Sequence, residues 1–113
     1  MRLKWFKDKE VEGLDKHFAE MLDHARENAG VPFVITSGFR TDIENTAAGG
    51  VPGSSHVQGL AADIRANDSR TRFCVVSGLM TAGFRRIGIY DKHVHADFDE
   101  TKEQDVIWTG SST

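Results

Sequence analysis

The stretch His93-Val94-His95-Ala96-Asp97-Phe98 alternates polar and apolar residues without a break. Successive side chains of a strand point to opposite faces. His93, His95 and Asp97 are therefore expected on one face, and Val94, Ala96 and Phe98 on the other, against a core. Just upstream, Phe84 to Tyr90 forms a second strand-like run, and Asp91-Lys92 between the two offers a tight hairpin. Three further short runs read as strands. Phe33 to Ser37 is rich in β-branched residues, Gly59 to Ile64 alternates weakly and carries Asp63, and Val106-Ile107-Trp108 lies near the end.

Two segments have helical spacing. From about Val11 to Ala29, Leu14, Phe18, Met21, Leu22, Ala25 and Ala29 recur every three or four positions. Gly30 is placed to end this helix, and Pro32 blocks its continuation. A second helix is expected from Ser69 to Thr81, capped by Asn67 or Asp68, with Phe73, Val76, Leu79 and Met80 inward and Gly83 at its end. Residues 41–55 show no periodicity and read as a long loop leading into His56. Early and central helices with later short strands predict an α+β fold: a small, mainly antiparallel sheet with helices packed on one side. The 113 residues suffice for a single domain, with a core over about 11–108 and Trp5 and Phe6 packed back onto it.

Composition narrows the function. At 39% hydrophobic and 27% charged residues, the chain is expected to be globular rather than disordered. A net charge of -3 supplies no basic patch for nucleic acid. The lone Cys74 excludes an internal disulfide and is expected to be a buried thiol. No apolar run approaches the length of a membrane span, so no membrane insertion is expected. The start, Met1 to Asp8, has the basic residues of a signal peptide but no apolar segment after them. Synthesis in the cytoplasm without export by that route, and a monomer, are expected.

The chemistry lies in two segments. Ser54-Ser55-His56-Val57-Gln58-Gly59-Leu60-Ala61-Ala62-Asp63 places a histidine and an aspartate seven positions apart, and His93-x-His95 adds two of the five histidines in the chain. Zinc takes imidazole nitrogen and carboxylate oxygen. Two His and one Asp leave a position open, as catalytic sites do, whereas structural sites are usually closed by four protein ligands. His17 and His24, on the first helix, are expected to be solvated and dispensable.

The pattern Ser54-x-His56-x-x-Gly59-x-Ala61-x-Asp63, followed by His93-x-His95, resembles the zinc D-Ala-D-Ala carboxypeptidase family, peptidase family M15, and the wider group that includes the lysostaphin-type peptidases. Ser37-Gly38-Phe39-Arg40 is similar to the family's Ser-Gly-Tyr-Arg segment, and Asn45 and the glycines before Ser54 fit its intervening loop. Gly88-Ile89-Tyr90 leading into Val94-His95-Ala96-Asp97 resembles its final hairpin.

The resemblance implies a small domain of the Hedgehog/D-Ala-D-Ala peptidase type and one zinc ion held by His56, Asp63 and His95. His93 would stand beside the metal as a catalytic or transition-state-stabilising group. Arg40, catalytic and substrate-binding, would meet a substrate carboxylate or the developing oxyanion, and Ser54 is a further substrate-binding candidate. Many family members place a carboxylate three residues before the last zinc histidine as general base, and here that position is Lys92. Asp91 and Asp97 are then the candidates for the base, or Asp97 for a group that orients His95.

The expected activity is zinc-dependent hydrolysis of peptide bonds in peptidoglycan stem peptides or cross-links, of carboxypeptidase or endopeptidase type. A phage lysis enzyme that acts on the cell wall after release would fit. The alternative is a catalytically inactive, zinc-stabilised peptidoglycan-binding module, favoured by Lys92 and opposed by His93 and Arg40.

Overall fold

The structure, a computed structural model, describes residues 3–49 and 54–111. Gly50, Val51, Pro52 and Gly53 of the expected loop, Met1 and Arg2 of the basic start, and the last two residues of the polar tail lie outside the described residues. After a 3-10 turn at Asp8–Val11 come α1 (Lys16–Ala29), β1 (Ile35–Ser37), α2 (Asp42–Ala47), β2 (Ala61–Arg65), α3 (Ser69–Ala82), β3 (Arg86–Ile89), β4 (His93–Asp97) and β5 (Val106–Thr109).

Local chemistry sets the ends of the long helices. The Asp15 carboxylate accepts the Phe18 N–H at 3.0 Å, which starts α1 five residues later than periodicity alone implies. Asp68 does the same for Thr71 at 2.8 Å. Both helices end on a left-handed glycine, Gly30 and Gly83.

The five strands lie in the order β1-β2-β4-β3-β5. All pairings are antiparallel except that of β5, which runs parallel to β3. This is the expected α+β architecture. Ala62 and Ile64 of β2, Val94 and Ala96 of β4 and Ile87 of β3 are buried in one core with Phe18, Leu22 and Ala25 of α1 and Val75 and Leu79 of α3. The alternation of β4 therefore turns His93, His95 and Asp97 to the face away from that core.

Four expectations are corrected. Residues 41–55 are not one loop, because α2 occupies Asp42–Ala47. Thr41 and Glu44 cap its first turn reciprocally, at 2.9 and 3.1 Å. On α3, Leu79 is buried but Phe73 is 73% and Met80 54% exposed. The buried face is instead Val75, Gly78 and Leu79, because α1 crosses close over Gly78, where a Cβ would stand 2.5 Å from the Ala25 carbonyl oxygen. Cys74, one position from that face, is only half-buried. Phe6 is buried as expected, but Trp5 stays 40% exposed, its ring under the Arg26 guanidinium at 4.0 Å.

Candidate metal centre

The loop from Ser54 to Leu60 brings His56 to the sheet. It is a compact turn: the Val57 N–H reaches the Ser54 carbonyl and the Gly59 N–H reaches that of His56. Ser54 is buried, and its hydroxyl accepts the His56 N–H at 3.2 Å. Gly59 is required here for two reasons. Its φ is 72°, and a Cβ would stand 2.7 Å from the Gly13 carbonyl oxygen, where the turn packs against the segment before α1.

Asp63 and His95 face each other directly across the β2–β4 pair. His95 Nδ1 lies 2.9 Å and His56 Nε2 lies 3.4 Å from the same oxygen, Asp63 Oδ1. The other carboxylate oxygen, Oδ2, faces Arg40 Nη2 at 3.9 Å and His93 Nε2 at 4.0 Å. Four of the expected residues thus converge on the carboxylate of a fifth, Asp63.

The outer nitrogens of the two inner histidines are committed elsewhere. His56 Nδ1–H donates to the Gly38 carbonyl at 2.7 Å, and His95 Nε2–H donates to Asp97 Oδ2 at 2.7 Å. Each ring is held with its other nitrogen toward Asp63, the arrangement by which a carbonyl or carboxylate orients a metal-binding imidazole. The donor atoms of His56, Asp63 and His95 lie within 4.8 Å of one another. Two imidazoles and one carboxylate at that separation fit a single zinc ion, a fit tested by donor chemistry and orientation together.

The electrostatics match. Burial opposes ionisation of Asp63, but hydrogen bonds and charge from His56 and His95 outweigh it and hold the carboxyl well below the ordinary range. Burial likewise opposes a charge on His95, yet Asp63 and Asp97 raise its affinity for a proton. Both shifts favour positive charge beside the Asp63 carboxylate, the charge a cation would bring.

The remaining candidates fall outside this cluster. Asp91 is exposed at the hairpin tip, where its backbone carbonyl accepts from Arg72. Asp97 is buried behind His95, on the far side of the ring from Asp63, and also accepts Arg86 Nε at 2.8 Å and the Asp99 N–H at 3.1 Å. His17 and His24 are exposed on α1, His17 stacked on Phe98.

Several residues at the site were given no role from the sequence, though Ser37, Gly38 and Asn45 belong to the family-like pattern. Ser37 Oγ accepts Arg40 Nε at 3.0 Å, and the Asn45 side chain accepts Nη1 at 3.4 Å. The Gly38 carbonyl, Arg86, Asp99 and Trp108 were also missed. For Arg86 the signal was present: Arg86, Gly88 and Tyr90 alternate in step with His93 and His95 on the neighbouring strand.

No curated protein matches the chain. A family model described as Peptidase M15 matches residues 3–97, the span from the N-terminal segment through β4. With Asp63 and its surrounding histidines inside that span, the chain belongs to the peptidase M15 family.

Proposed function

We propose that this protein is a zinc metallopeptidase that hydrolyses peptide bonds in bacterial peptidoglycan, in stem peptides or cross-links. The observation that carries the reading is the convergence of His56, His95, Arg40 and His93 on the two oxygens of Asp63. Zinc held by His56, Asp63 and His95 would supply a Lewis acid and an acidified water.

The protein's own groups do the rest. Arg40, anchored by Ser37 and Asn45, presents a planar cation beside the ligands. Such a fork suits a terminal carboxylate, or a carbonyl oxygen as it gains charge. His93 Nε2 faces the same space, where it can accept a proton or give one to the leaving amine. Asp97 keeps the His95 ring in one orientation and does not enter the reaction. This division of labour needs no carboxylate at position 92, where Lys92 is exposed.

The test is digestion of purified peptidoglycan and synthetic stem peptides, with and without a chelator. New amino groups or free D-alanine should appear, vanish with the chelator and return with zinc. His93→Ala should keep its zinc and lose about a hundredfold in rate. Binding to peptidoglycan with no cleavage by the zinc-loaded protein would instead establish the binding module that Lys92 favours.

A further inference from the structure

One row of residues crosses the whole sheet. Ser37 pairs with Asp63, Asp63 with His95, His95 with Gly88, and Gly88 with Trp108. The row ends on β5, beyond the residues that match the family. Gly88 has no side chain, and a Cβ there would stand 2.6 Å from Trp108 Nε1. The indole occupies that place, its ring centre 5.6 Å from His95. Its Nε1–H donates to the Tyr90 hydroxyl at 2.9 Å. The Tyr90 ring in turn lies parallel to that of His93, with centroids 4.5 Å apart and planes 9° apart. The indole also meets the Arg86 guanidinium, 4.9 Å from the ring centre, and Arg86 holds Asp97.

We propose that Trp108 is a positioning residue of the peptidase site: through the Tyr90 hydroxyl it fixes the plane of the His93 ring. The inference rests on the reading of His93 as the proton-transferring group. His93 and Tyr90 flank the exposed tip Asp91-Lys92, the end of the hairpin farthest from the centre of the sheet. The ring torsion of a histidine or tyrosine is broad and weakly set by the backbone. A face-to-face stack orients the imidazole only if the tyrosine is itself held. The hydrogen bond from Trp108 holds it, with Gly110 packed closely against the Tyr90 ring. Gly88 is the complementary requirement, since any side chain there would displace the indole.

The test combines a double-mutant cycle with a spectroscopic signature, both on zinc-loaded protein. Trp108→Phe removes the donor, and Tyr90→Phe removes the acceptor but keeps the stacking ring. Assayed on purified peptidoglycan, each should lower kcat about tenfold with KM nearly unchanged, and the double variant should be no worse than either single one. Metal content should stay at one ion per chain. Independently of activity, the His93 ring protons should be shifted upfield by the Tyr90 ring in the wild type, and Tyr90→Leu should return them to ordinary positions.

Wild-type kcat in Trp108→Phe and Tyr90→Phe, with only a lower melting temperature, would make the contact merely structural and overturn the proposal. Multiplying effects in the double variant would show that Trp108 does not act through Tyr90, and overturn it as well. Absence of the upfield shift would remove the stack itself. If His93→Ala keeps full turnover while the shift is present, the assignment of His93 fails rather than the clamp.

Discussion

Replacing Asp99 by Asn probes the buried network that ties the His56 turn to the end of β4. Asp99 is 1% exposed. Its carboxylate accepts the Ser55 hydroxyl at 2.8 Å and the Thr101 N–H at 3.1 Å, with Lys102 Nζ at 3.4 Å. Burial by itself would raise the Asp99 pKa. The donors, Thr101 and Ser55 foremost, overcome it and lower the value from 3.8 to about 2. A folded-state pKa below the unfolded one stabilises the fold above the unfolded value, and that stability is lost as pH falls through the folded value. The depression corresponds to about 2 kcal/mol. Asp99→Asn keeps the shape, loses the charge and turns an amide against other donors. In metal-free protein it should therefore lose about 2 kcal/mol at neutral pH.

Only the wild type carries this linkage, so the gap between the two proteins should narrow by about 1 kcal/mol between about pH 5 and pH 3. Urea unfolding followed by tryptophan fluorescence at several pH values measures both quantities. A gap that stays constant across that range would refute the claim that these donors stabilise the charge. Equal stability at neutral pH would refute the network's contribution altogether.

The other expectations concern the metal, the arginine and the helix contact. His56→Ala should lose most of the bound zinc and, with it, thermal stability, as should chelation of the wild type, whereas His17→Ala and His24→Ala should do neither. Stoichiometric zinc in both His56→Ala and His95→Ala, measured by elemental analysis, would reject the ligand set. Arg40→Lys keeps the charge but loses the fork anchored on Ser37 and Asn45, so peptidoglycan cleavage should fall while the melting temperature barely moves. Lost stability with unchanged specific activity would reverse that assignment. Gly78→Ala puts a methyl group 2.5 Å from the Ala25 carbonyl oxygen and 2.6 Å from Ala29 Cβ. It should cost about 1–3 kcal/mol in denaturant unfolding, and an unchanged midpoint would mean that α1 and α3 separate at little expense.

The features legible in the residues alone were local. The stripe of α1, its end at Gly30, a cap of α3 at Asn67 or Asp68 and the alternation of His93, His95 and Asp97 each depend on residues within a few positions of one another. The motif from Ser54 to Asp63, with His93-x-His95, carried the family through resemblance. The six-residue α2 escaped because so short a helix shows no periodicity, and its one signal was the Thr41-x-x-Glu44 capping pair. The inward face of α3 escaped because apolar residues lie on more than one side of it, and the close approach of α1 to Gly78 decides between them. The order β1-β2-β4-β3-β5 and the row from Ser37 to Trp108 were beyond reach altogether. Which strand lies beside which depends on how the core closes over residues distant in the chain, and only that closure sets Asp63 opposite His95, Asp97 behind it and Trp108 at the end of the same row.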